Sequence, residues 1–179
     1  MSLLALRTAA VNGIRSALNP VKVDSHPGRF DLAELGNYAT GAPVVLVAIT
    51  SVSSVAEDST RQADCQLAAY ILTRPDREHR ADERALIIAS AVLAAVDGQA
   101  WGVDGAQGAR ELRWQNLYGT EDTNRGVHLS AVTWRQPLQL TDEAVGLPDF
   151  ELLAAQYNLG PDPDAQIEAE DHIPLNQES

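Results

Sequence analysis

Beyond Arg135 the 179-residue sequence contains neither lysine nor arginine. Residues 1–136 hold 15 Asp and Glu against 13 Lys and Arg, while residues 137–179 hold ten acids and no base. The net charge of −12 therefore belongs mostly to an acidic extension, and the stretch PDPDAQIEAEDHIP (161–174) alone carries five carboxylates. Such a balance excludes a protein whose main work is gripping nucleic-acid phosphates or an anionic membrane, since Lys and Arg must neutralise them. Cysteine is nearly absent. The single Cys65 excludes an internal disulfide framework and suits a reducing compartment. Long apolar runs are missing as well. The longest, ALIIASAVLAAV (85–96), falls well short of the ~20 residues a membrane span needs. The opening MSLLALRTAAVNGIR is broken by Arg7 and lacks the apolar stretch of a secretory signal, so a soluble protein is expected.

The 45% of residues that are apolar suffice for one globular core. After Ser2 as a cap, Leu3, Leu6, Ala10, Ile14 and Ala17 recur at helical spacing until Asn19-Pro20. A short β-like VKV (21–23) follows, then a loop with a single turn at DLAEL (31–35). VVLVAITSV after Pro43 is apolar on both alternating faces, as in a central strand covered on both sides. A polar turn at 56–60 leads into ADCQLAAYIL, which alternates as a strand. The charged TRPDREHRADER opens a helix over about 80–97, which Gly98 closes. RELRWQNLY (110–118) and GVHLSAVTWRQ (126–136) then read as an antiparallel hairpin. The expected fold is α+β: a mostly antiparallel sheet of four to five strands flanked by two main helices, with an extended acidic C-terminal arm. The expected division is a domain over 1–138 and an extension over 139–179, with one short helix near 149–158 in DFELLAAQYN.

A catalytic or ligand-binding constellation does not emerge from the spacing. His26, His79, His128 and His172 stand far apart and form no metal-ligand pattern with Cys65 or a close carboxylate pair. Cys65 lies on the apolar face of its strand, the place of a small buried hydrophobe. GQAWGVDGAQG has no Lys for a phosphate loop and sits between a helix and a strand in the wrong order for a dinucleotide fingerprint. In TRPDREHRADER four arginines meet four acids, which describes a salt-bridged loop. DPDAQIEAED lacks the glycine turn of a calcium loop. No cofactor, metal or catalytic residue is therefore expected.

A burial problem remains. The helix around ALIIASAVLAAV is apolar nearly all round, where a helix on the surface of a small monomer shows water a polar stripe. Either the first helix covers its second side or another subunit does. The strands repeat the pattern: Val127, Leu129 and Ala131 point one way, Val132 and Trp134 the other, and Leu112, Trp114 and Tyr118 share a face. Apolar residues on a sheet face without helices point to a protein neighbour. The candidate subunit-interface residues are Leu86, Ile87, Leu93, Trp114, Tyr118, Trp134, Phe150 and Tyr157.

ADCQLAAYILT, ALIIASAVLAAVDGQAWG, LRWQNLYG and GVHLSAVTWRQ occur in this order within residues 62–136. This ordered set, above all G-Q-x-W-G after an apolar helix, then N-L-Y, then V-T-W-x-Q, resembles the tail terminator (tail-completion) proteins of Mu-like tailed bacteriophages. The resemblance covers roughly residues 1–138 and leaves the acidic arm outside it. It implies a non-enzymatic virion protein of the tail and neck, assembled in the host cytoplasm. Its partners would be its own copies in a homo-hexameric ring, the major tail tube protein below and a head–tail connector protein above. Genomic DNA would pass through the lumen without specific binding, and no membrane is implied. The readings left beside it are another neck or connector subunit, a small enzyme using His128 or His79 with a carboxylate, and an acidic DNA mimic.

Overall fold

Ser2 begins the first helix by accepting the Ala5 backbone N–H on its Oγ at 3.2 Å, which satisfies one of the amides a helix start leaves unpaired. The computed structural model describes residues 2–28, 38, 41–57, 60–118, 126–140, 152–157 and 169–174. The turn expected at DLAEL lies outside them. Helix α1 spans Leu3–Ala17 and buries Leu6, Ala10, Val11 and Ile14 along one side. Helix α2 spans Ala81–Val96. The Arg80 backbone N–H donates to Glu83 Oε2 at 2.9 Å at its start, where Asp82 and Glu83 also complement the helix dipole. It ends at Gly98, whose φ of +68° is the left-handed conformation a residue without Cβ adopts most readily.

Five strands form one sheet: β1 (Lys22–Ser25), β2 (Val44–Glu57), β3 (Thr60–Thr73), β4 (Arg110–Tyr118) and β5 (His128–Gln139), ordered β1-β2-β3-β5-β4. β1 runs parallel to β2, and every other pair is antiparallel. This is the expected two-helix, mostly antiparallel α+β architecture. The β2–β3 hairpin is longer than the sequence indicated: strand pairing reaches Glu57↔Thr60, where a wider polar turn was expected.

Both helices pack on one face of the sheet. Beneath them lie Val45 and Val47 of β2, Cys65, Leu67, Ala69 and Ile71 of β3, and Val132, Trp134 and Leu138 of β5, in one cluster with Ile88, Ala89, Val92 and Val96 of α2. Each fully buried Val, Leu or Ile contributes on the order of 2 kcal/mol, so this layer is the main support of the fold. The opposite face is divided. Its upper half holds Val44, Leu46, Leu72, Val127 and Leu129, all at most 2% exposed, with Tyr38 and Tyr70 packed against them. The sequence pointed to a protein neighbour here, but these side chains are sheltered within the chain itself. Towards the hairpin end the same face turns polar, with Asp64, Gln66, Gln115, Thr133 and Arg135 along it.

The chain separates into two compact units, Met1–Asp142 and Glu143–Ser179. The first extends past the expected end at 138, because β5 continues to Gln139 and Leu140 packs against the core. In the second, residues expected to be helical form strand β6 (Leu152–Tyr157), paired antiparallel with β7 (Ala169–Pro174) from Leu152↔Pro174 to Tyr157↔Ala169. A segment this short gains little from helix formation in isolation, while a pairing partner satisfies its backbone.

Candidate functional site: the assembly surfaces

His79 Nδ1 stands 4.0 Å from Asp76 Oδ1 in an exposed loop, beyond hydrogen-bonding reach. That loop is the salt-bridged connection the sequence indicated. Asp76 accepts the Glu78 and His79 backbone N–H groups at 2.9 and 2.8 Å and meets Arg84 Nε at 3.2 Å. These backbone hydrogen bonds, His79 first, hold its carboxyl below the usual range. His26 is buried between the edges of Tyr38 and Tyr70, its Nδ1 accepting the Gly28 N–H at 3.2 Å. Cys65 is fully buried; burial first, then the Asp64 charge, push its thiol up to about 11, so it is not a nucleophile at neutral pH. No group of three or more metal-ligating side chains occurs among the described residues.

His128 is 4% exposed, and its Nε2 has no hydrogen-bond partner among the described residues. Burial lowers its pKa from the ordinary 6.5, opposed in part by Asp82. The unfolded chain therefore takes up this proton at a higher pH than the native one. The associated stability is fully present above about 6.5 and is lost as pH falls towards the lower native value. Between pH 7 and 5 the melting temperature of the wild type is expected to fall more steeply than that of His128→Gln. Equal slopes in calorimetric scans would contradict this.

The glycine-rich GQAWGVDGAQG has a structural role. Gln136 of β5 is fully buried, and its side chain makes four hydrogen bonds. Oε1 accepts the indole N–H groups of Trp101 at 3.0 Å and Trp134 at 3.3 Å, while Nε2 donates to the Gln99 and Gln107 carbonyls at 2.9 Å each. All the polar capacity of one amide is used. The loop is further stitched to β5 by Gln107 N–H to Pro137 O and Gln139 N–H to Gly105 O, both 2.9 Å. Trp101, at φ +60°, lays its ring against α1 so closely that a Cβ on Gly13 would overlap its Cζ3. Gln99, Trp101, Trp134 and Gln136, from the two most distinctive strings of the sequence, thus meet in a single node joining loop, sheet and helix.

The surface carries the remaining signal. Among the described residues, the exposed large hydrophobics are Leu4, Val52, Leu86, Ile87, Trp114, Leu117 and Tyr118. Leu86 and Ile87, 49% and 55% exposed, sit on the outer side of α2. α2 turns Ala85, Ile88, Ala89 and Val92 to the sheet, and α1 covers only a flank, so the first helix answers the burial problem in part. A groove of about 680 Å³ runs between the helices, lined from α1 by Gly13 and Ala17 among others, from α2 by Ala94 and Ala95, and by Trp101. Trp114, Leu117 and Tyr118, each about two-fifths exposed, lie on β4 at one edge of the sheet. Val52 and Leu4 lie towards the other edge, where the start of α1 approaches Ile49.

Two expectations about these residues change. Trp134 is fully buried in the core and held by Gln136, so it packs the interior and presents no surface to a partner. Tyr118 does not share a face with Trp114. Trp114 pairs with Val132 and Asn116 with Ser130, but Tyr118 pairs with Leu129, so an irregularity at Leu117 turns it to the side without helices. Leu93 is half-buried against the core. Phe150 and the side chain of Tyr157 lie outside what is described. Val52, Leu4 and Leu117 were missed; a β-bulge between Ile49 and Ser51 breaks the alternation that would have shown Val52 as an outlier. On the polar half of the sheet, Asp64 Oδ2 meets Arg135 Nη1 at 3.2 Å and Arg135 Nε meets Glu111 Oε2 at 3.4 Å.

No family model matches this sequence, and no curated protein matches it. Among solved structures, the fold is similar to a chain of the "Virion of native gene transfer agent (GTA) particle". That likeness has 11% identity and a TM-score of 0.49, covering 78% of this chain and 96% of that chain. It is also similar to a chain of "an Extracellular Contractile Injection System, PVC sheath/tube terminator in extended state", at 15% identity and a TM-score of 0.43, covering 90% of this chain and 65% of that one. Neither likeness, at these identities and scores, assigns a role to this chain.

Proposed function

We propose that this chain is a virion structural protein of a phage-like particle, a tail terminator. Its copies form a ring, six-membered as the sequence resemblance implies, at the head-proximal end of the tail tube. The ring stops tube growth and offers its upper side to a head–tail connector, while DNA passes through it unbound. The carrying observation is where the exposed apolar side chains lie: on the outer side of α2 and towards both lateral sides of the sheet, as subunits contacting several neighbours require. The balanced ion pairs on the polar sheet face and the acidic second unit suit a protein past which nucleic acid slides.

The decisive test is complementation. Extracts of a terminator-deficient phage of matching host should yield tails of uniform length and infectious particles when this protein is added. Tails that stay overlong would refute the terminator role, and finding the protein elsewhere in purified virions would favour a connector subunit. Leu86→Glu together with Ile87→Glu should leave the stability nearly unchanged, within about 1 kcal/mol, because both side chains are exposed. The same variant should lose tail completion. Full activity of the variant would take the α2 patch out of the assembly.

A further inference from the structure

We propose that neighbouring copies join edge to edge, β4 of one copy pairing antiparallel with β2 of the next beyond Ile49, so that one sheet runs on through the assembly. This rests on the ring reading above and specifies its contact.

Two stretches of strand edge have no partner among the described residues. β4 is an edge strand, exposed along nearly its whole length, and no described strand pairs with its outer side. On the other side of the sheet β1 pairs with β2 from Val44 to Val47, and the chain continues beside β2 as His26 N–H donates to Val47 O and Gly28 lies against the Ile49 carbonyl. Residues 51–57 of β2 therefore have no outer partner among the described residues. Open edges of this length recruit strands.

Direction and face agree. β2 and β5 point one way, β3 and β4 the other. A rotation about an axis along the strands preserves these senses and carries β4 beside the next copy's β2 in antiparallel orientation. Val52 pairs with Cys65 and Trp114 with Val132, and both partners belong to the core beneath the helices. Val52 and Trp114 therefore lie on the same face and meet across the seam, with Leu117 brought towards Ile49 and Leu4 of the neighbour. Charge agrees as well: β4 begins with Arg110 and Arg113 around one Glu111, whereas residues 51–57 are Ser, Val and Ala with a single acid, Glu57, at the far end. A two-fold β4–β4 contact would cover one apolar edge and leave Val52 and Leu4 in water. Head-to-tail pairing covers both and repeats in every copy.

The test uses the full chain with Cys65→Ser and a short bismaleimide. Val52→Cys with Trp114→Cys in one chain should give a ladder from dimer upward, ending at the mass of the closed ring. A mixture of the two single variants should stop at dimer, because each pair offers one reactive seam. Leu117→Cys with Leu4→Cys provides a second reading should loss of Trp114 weaken the contact. Oligomers that form without either ladder would overturn edge pairing and leave the ring reading standing. Dimers from the Trp114→Cys variant alone would show the two-fold contact instead. Absence of both oligomers and ladders at high protein concentration would refute the contact and the ring together.

Discussion

Gln136→Leu is expected to destabilise the protein by about 3–5 kcal/mol, a fall in melting temperature of roughly 10 °C or more. Leucine has similar volume, so the effect isolates hydrogen bonding from packing. The substitution leaves the Trp134 indole N–H buried without an acceptor and takes a donor from the Gln107 carbonyl, while the Gln99 carbonyl keeps the Ala109 N–H. Each unsatisfied buried group costs about 1–3 kcal/mol. Trp101, released from Oε1, also loses what holds it at positive φ against Gly13. Gln136→Glu separates the causes: it preserves an acceptor for both indoles but places a carboxylate against two carbonyls. A variant melting within a degree or two of the wild type would mean that the node does not hold the loop to β5.

Ile88→Asp is expected to cost more than 4 kcal/mol and, in a domain of ordinary stability, to leave little folded protein at 37 °C. Ile88 is 7% exposed and belongs to the cluster beneath α2. At the neighbouring position, Ile87→Asp should be nearly silent in a denaturant titration, since Ile87 is 55% exposed. The contrast between adjacent isoleucines fixes the rotational setting of α2. Similar losses at both positions would mean that α2 is enclosed on all sides.

Periodicity carried most of the architecture. Leu3 through Ala17 and the run around Ile88 mark both helices, and the alternation from Ala63 to Ile71 marks the central strand, because each places one consistent set of side chains under the helices. What failed was local irregularity. The bulge after Ile49 and the shift between Asn116 and Tyr118 each displace the two-residue period, so Tyr118 was assigned to the face of Trp114 and Val52 escaped notice. Trp134 was mistaken for surface because sequence shows that a face is apolar without showing which chain covers it. The same ambiguity sent the buried half of the second sheet face to an outside partner, although Tyr38 and Tyr70 pack on it. In LLAAQY the run is too short to distinguish a helix from a paired strand. The GQAWG and VTWRQ strings signalled a resemblance, while their convergence on Gln136 depends on contacts some 35 residues apart that no local pattern encodes.

The central claim is that copies of this chain associate through exposed apolar edges into a closed ring. Sedimentation equilibrium of the purified full chain over a wide concentration range tests it most directly. A limiting mass at a fixed multiple of 19.2 kDa, reached from monomer and never exceeded, is the predicted result. A strictly monomeric mass throughout, or one that climbs without limit, would contradict it.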